Sequence, residues 1–246
     1  MSELEGRAEF LPPPGLVRVR CSVADRGAVL EAAGSRAATD ALLALLRGGG
    51  WRPTAWMRFL VLAAERSWQE AARRPTAVAK ISLLHGALLA AGRGRSRWWV
   101  ATSWALAVSH LGLLEDRRSL GAAKALTLAR ANLPVAGARL GRWIGLVAIA
   151  SDLADGALAR RLGTVTPFGE YADSLADAAF WTWLTVRGEP SRVVRVAALV
   201  AWAVPVVAVA AGSLARGRMV DRPRPVVLRP AAAMQALIAV RRAVRP

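Results

Sequence analysis

The chain has 246 residues, of which 54% are hydrophobic and 21% charged, with a formal charge of +17 and a mean hydropathy of +0.32. A soluble globule rarely combines these values, whereas in a membrane protein apolar and charged residues segregate along the chain. Lys80 and Lys124 are the only lysines, and the arginines cluster between apolar runs at 93–97, 216–225 and 241–246. That is the flanking pattern of membrane segments, and it argues against a nucleic-acid partner despite a pI near 11.8.

Residues 1–76 read as a polar N-terminal segment, cytoplasmic or interfacial and mostly helical. It opens with Glu3, Glu5, Glu9 and Pro12–Pro14, the opposite of a signal peptide. The alternation of residues 17–23 suggests a short strand. Residues 39–47 then predict a helix closed by Gly48–Gly50. A second helix is predicted from Pro53, with Trp56, Leu60, Ala63, Ala64 and Trp68 on one face. That face fits two readings equally, a helix lying on a membrane surface or one packed against the rest of the protein. Cys21, the only cysteine, excludes an intrachain disulfide and a cysteine-rich metal site. His85 and His110, the only histidines, sit in apolar segments and read as packing residues.

From residue 77 to 246 the chain predicts an all-α, polytopic membrane domain. Apolar runs follow one another at 78–92, 98–114, 120–138, 141–158, 171–187, 193–214 and 226–240. Only 193–214 comfortably meets the roughly 17–25 residues a span needs. About six spans are predicted, with a cytoplasmic N-terminus. The basic stretch after residue 214 places that loop, and with it residues 158–170, on the cytoplasmic side.

Four of the eight aspartates fall in one window, DLADGALARRLGTVTPFGEYADSLAD, from Asp152 to Asp177. Acidic groups at the ends of membrane helices are costly to bury and point to function. Asp152 and Asp155 are spaced i, i+3, and Asp173 and Asp177 i, i+4, so each pair shares a helix face. A helix, a turn of roughly twelve residues and a returning helix would bring the two faces together. Four converging carboxylates repel unless cations are bound. With no His or Cys nearby, the all-oxygen set suits two hard divalent cations, Mg²⁺ or Mn²⁺, with positions left for phosphate oxygens. Gly156 allows close approach of a ligand, Arg160 suits a diphosphate, and Gly169 shares the face of Asp173. Solvated helix ends paired with Arg160 and Arg161 would explain any single aspartate, but not all four at this spacing with both glycines.

These residues resemble the signature of the CDP-alcohol phosphatidyltransferase family, D-x2-D-G-x2-A-R-x8-G-x3-D-x3-D. Asp152, Asp155, Gly156, Ala159, Arg160, Gly169, Asp173 and Asp177 fill it without departure. A weaker echo lies upstream in LTLARANLP (126–134). The resemblance implies that Asp152, Asp155 and Asp173 ligate two metals, and that Asp177 is a shared ligand and general base. It gives Gly156, Ala159 and Gly169 to the cytidine pocket and Arg160 to the donor diphosphate, with Thr127 and Arg130 as further substrate contacts. It implies transfer of a phosphoalcohol group from a CDP-linked donor to an alcohol, one of the two being a lipid, with CMP released in phospholipid biosynthesis. Members of the family are often homodimers. The short stretch between Thr127 and Asp152 departs from the family and implies a short first hairpin. A membrane prenyltransferase also uses aspartates and Mg²⁺ but needs no Gly-Ala-Arg element. A transporter would spread its polar residues over several spans, and an inactive homologue would keep the motif for structure alone.

Overall fold

The computed structural model describes residues 21–245 except 116, 118, 165 and 222–224. The acidic, proline-containing start of the chain and residues 17–20 of the expected strand lie outside the described residues. All regular structure among the described residues is helical.

The N-terminal part forms α1 (Val23–Leu30), α2 (Ser35–Gly48) and α3 (Pro53–Ala72). The strand expectation fails where it can be checked, because Val23 opens α1. The side chain of Ser22 accepts a hydrogen bond from Asp25 N at 3.0 Å, and this N-cap commits the backbone to a helix. Helix α2 starts earlier than the sequence suggested. It ends where predicted, with Gly49 as C-cap and Gly50 at φ +61°. Pro53 stands at the first position of α3, where its missing N–H costs nothing. Leu62 of α3 packs with Val29 and Leu42, while Trp56, Leu60, Ala64 and Trp68 are exposed. Packing against the rest of the protein therefore does not account for that face, although Ala63 turns inward.

Buried Glu70 fixes the corner between α3 and the next helix through ion pairs with Arg66, Arg73 and Arg74. Arg66 also donates to Leu30 O at 2.6 Å, and Arg74 to Glu115 O at 2.6 Å. A buried carboxylate is stable only when surrounded in this way. Helices α4 (Pro75–Ala91) and α5 (Arg95–Ser109) pair as a hairpin. His85 is buried between them, its Nδ1 2.9 Å from Ile81 O and its Nε2 3.1 Å from Ser103 Oγ. This is the packing role expected of it; His110 is exposed instead.

The C-terminal half comprises α6 (Ala122–Ala131), α7 (Gly137–Leu140), α8 (Ile144–Arg161), α9 (Pro167–Gly188), α10 (Arg192–Arg216) and α11 (Pro225–Ala243). The apolar run 120–138 is not one helix. Asn132 donates to Leu128 O at 2.8 Å and to Ser103 Oγ at 2.9 Å, and Pro134 follows. The chain leaves α6 there in short 3₁₀ turns, Leu133–Ala136 and Gly141–Trp143, on either side of α7. Helix α6 is therefore about 15 Å long, half a bilayer core.

Two stretches among the described residues are long and apolar enough to cross a membrane, Leu133–Arg161 and Arg192–Arg216; the apolar α4 is shorter. Helix α8 packs on α6 and α11, and α9 on α6 and α10. At Gly145 a side chain would stand 3.0 Å from the backbone of Ala239, so glycine sets how closely α8 and α11 approach. Ile144, Ala148, Phe180, Trp181 and Leu184 build the shared core. The N-terminal helices join this bundle at the C-terminal end of α10. Arg47 donates to Arg216 O at 2.8 Å, and Asp40 accepts from Met219 N at 2.5 Å.

Candidate active site

The aspartates stand on two helices joined by a tight corner. Helix α8 ends at Arg161 with Leu162 as C-cap, and Gly163 follows in the left-handed region at φ +58°. Gly163 N donates to Arg160 O at 3.2 Å and Thr164 N to Ala159 O at 2.9 Å, the paired bonds of a Schellman cap. Helix α9 then begins at Pro167 behind Thr166, whose hydroxyl accepts from Gly169 N at 3.2 Å. The connection is Leu162–Thr166, much shorter than the roughly twelve residues expected. Gly156, Ala159 and Arg160 are consequently the last turns of α8 and not parts of a loop. Their backbone positions are fixed by helical hydrogen bonds, which suits a site that must hold its geometry.

The corner returns α9 along the other side of α6, on which both α8 and α9 pack, and the two aspartate pairs converge over it. Asp152, Asp155 and Asp173 offer carboxylate oxygens that all lie within 4.8 Å of one another. Asp177, one turn beyond Asp173, joins them through α6. The guanidinium of Arg130, only 1% exposed, contacts all four carboxylates. Its Nη1 lies 2.6 Å from Asp152 Oδ1 and 2.5 Å from Asp177 Oδ1, and its Nη2 bonds Asp173 and sits 3.4 Å from Asp155 Oδ2. One arginine thus lies at the focus of four acids, reducing the repulsion among them. Thr127, one turn earlier on α6, donates its hydroxyl to Asp155 Oδ2 at 2.7 Å. Thr127 and Arg130 are therefore brought to the acids themselves.

A cavity of about 310 Å³ opens beside this cluster. It is lined from α8 by Asp152, Asp155, Gly156, Ala159 and Arg160, from α9 by Gly169 and Asp173, and from α6 by Thr127. Arg160 lies across Gly156, where an added Cβ would stand 3.2 Å from its Nη1. Arg130 and Asp177 are outside this lining and face it through the other acids. Every site residue expected from the sequence is gathered here. Ala123, Leu153, Thr164, Thr166 and Glu170 complete the wall, and one further lining residue outside the expected set carries a positive charge: Lys124, buried on α6 and donating to Thr164 O at 3.0 Å. Its available signal was slight, a lysine three residues before Thr127 in a chain otherwise rich in arginine.

The donor set fits hard divalent cations. It is oxygen only, its three closest carboxylates converge within one coordination sphere's reach, and the fourth already shares a cation with them. The cavity beside it is large enough for part of a nucleotide and mixes acids with basic and small residues.

Comparison with known proteins agrees with this chemistry. Residues 122–240, which run from the start of α6 into α11, match the family model described as CDP-alcohol phosphatidyltransferase. No curated protein and no solved structure matches the chain. With all eight signature positions at one corner and the family model covering all of the helices that build it, residues 122–240 are a domain of the CDP-alcohol phosphatidyltransferase family.

Proposed function

We propose that the protein is an integral membrane enzyme that moves a phosphoalcohol group from a CDP-linked donor to an alcohol acceptor, releasing CMP for phospholipid synthesis. The observation that carries this reading is the convergence of four aspartates beside a cavity that also holds Arg160, Gly156 and Gly169.

Asp152, Asp155, Asp173 and Asp177 would hold two Mg²⁺ or Mn²⁺ ions, which supply charge neutralisation and Lewis acidity at the diphosphate. The chain's own groups divide the remaining work. Arg160 grips the diphosphate with a fork of N–H donors. Gly156, Ala159 and Gly169 leave room for the cytidine. Asp177 takes the proton from the acceptor hydroxyl, whose oxygen attacks the phosphorus distal to cytidine. The bond from that phosphorus to the bridging oxygen breaks, and the pair of electrons leaves with CMP. Arg130 and Thr127 hold the carboxylates in register for this step.

A cytoplasmic site suits a water-soluble nucleotide product. Arg160 and Arg161 close α8 and Arg216 closes α10 at the end of the bundle where the site lies, and this reading takes that basic end as the cytoplasmic one. The opposite end is basic as well: Arg187 closes α9, Arg192 opens α10, and Arg195, Arg241 and Arg245 engage Glu189. Residues 77–246 form the membrane domain in this reading. The preceding segment lies on the cytoplasmic face, with the bare α3 face turned to lipid.

The test of the base is Asp177→Asn assayed where metal binding is retained. Loss of about 10²–10⁴-fold in kcat is predicted, and full residual activity overturns the assignment.

A further inference from the structure

Lys124 is not among the eight signature positions, and the proposed mechanism gives it no task. It lies on α6 one turn before Thr127, on the face that meets α8 and α9. It is 2% exposed and lines the same cavity as Asp152, Asp155 and Arg160. A buried ammonium is costly unless it is paired. Yet Lys124 has no carboxylate partner among the described residues. Arg130 engages the four aspartates, and Thr127 also engages Asp155. Its one hydrogen bond there is to Thr164 O, the carbonyl just after the Schellman cap of α8. An ammonium carries three donors, so two remain for a ligand. Room for one exists on the α9 side. At Gly169 an added Cβ would lie 3.8 Å from Lys124 Cε, so the glycine keeps that wall low.

We propose that Lys124 is a nucleotide-binding residue, its ammonium taking the cytidine-side phosphate of the donor, the one that departs in CMP. A buried cation with unfilled donors gains more from an anionic phosphate than from the neutral carbonyl of a base. Lys124 from α6 and Arg160 from α8 then flank the diphosphate from two helices, while the aspartates hold its metal end. This rests on the proposed transferase reading and deepens it.

The experiment is calorimetric titration of the purified full chain with CMP and with cytidine, in saturating Mg²⁺, for wild type, Lys124→Met, Lys124→Gln and Lys124→Arg. Thermal unfolding confirms that each variant is folded. Lys124→Met and Lys124→Gln are expected to weaken CMP about ten- to hundredfold and to leave cytidine unchanged. Lys124→Arg, which keeps the charge, restores most of the CMP affinity. Unchanged CMP binding in a folded Met or Gln variant overturns the proposal, and so does an equal loss for CMP and cytidine, which would mark a role in pocket shape or base contact. Failure of wild type to bind CMP at all would instead overturn the transferase reading beneath it.

Discussion

Arg130→Met removes the one cation that contacts all four aspartates. The guanidinium is 1% exposed, and each of its partners is a carboxylate on α8 or α9. Removing one partner from a buried ionic cluster costs about 3–5 kcal/mol, because the charges left behind are uncompensated. In a chain of this length, 1 kcal/mol moves Tm by about 2–4 °C, so the metal-free variant should unfold about 6–20 °C below wild type. Divalent cations should restore much of this. A ligand at a hundred times its Kd contributes about 2.7 kcal/mol. In wild type the metal must share or displace the contacts of Arg130, so the same ion stabilises it less. The assay is thermal unfolding in detergent, in chelator and in a Mn²⁺ series, with Arg130→Lys as an intermediate because an ammonium lacks the fork. A metal-free variant as stable as wild type, or equal Mn²⁺-induced shifts in both, would refute the reasoning.

Other predictions follow from single contacts. Thr127→Val keeps the shape but deletes the 2.7 Å bond to Asp155. It should lower stability by about 1.5–3 kcal/mol, read as a lower Tm in chelator. Gly169→Val places side-chain atoms against Lys124 and Thr166 at the cavity wall. CMP affinity should fall at least about tenfold, the 1.4 kcal/mol of a modest steric clash, while Tm stays near wild type. Glu189→Gln loosens the tie between the ends of α9 and α11. Burial pushes the Glu189 carboxyl up, but hydrogen bonds from Arg241, the Ser191 backbone and Arg245 outweigh it and hold the group below the usual glutamate range. Its contribution is therefore present above the unfolded pKa of about 4.3 and lost as pH falls through the lower folded value. The Tm gap between wild type and Glu189→Gln should close below about pH 4; a gap that is constant with pH would contradict this.

The window from Asp152 to Asp177 was legible because helix periodicity alone puts each pair on one face. A conserved-looking motif was not needed to see that carboxylates would meet. The corner between the helices was misjudged in length. The signals were present in Gly163 and Pro167, but the apolar run 141–158 appeared to end before them, while Ala159 and Arg160, good helix formers, carry α8 on to its cap. The run 120–138 was misread for a different reason. It has enough apolar residues, yet the side-chain bonds of Asn132 and the proline after it end α6 at ten residues. Hydropathy does not register such local hydrogen bonds. The focal role of Arg130 lay beyond the sequence because it depends on how three helices pack, and Lys124 escaped because it sits in an apolar run outside any motif.

The most direct measurement is CMP release by the purified chain from a panel of CDP-linked donors, with and without alcohol acceptors and Mg²⁺. The account predicts CMP and a new phosphodiester only when donor, acceptor and divalent cation are all present, with both lost in chelator. Absence of CMP from every pair, or release of inorganic diphosphate in its place, would contradict it.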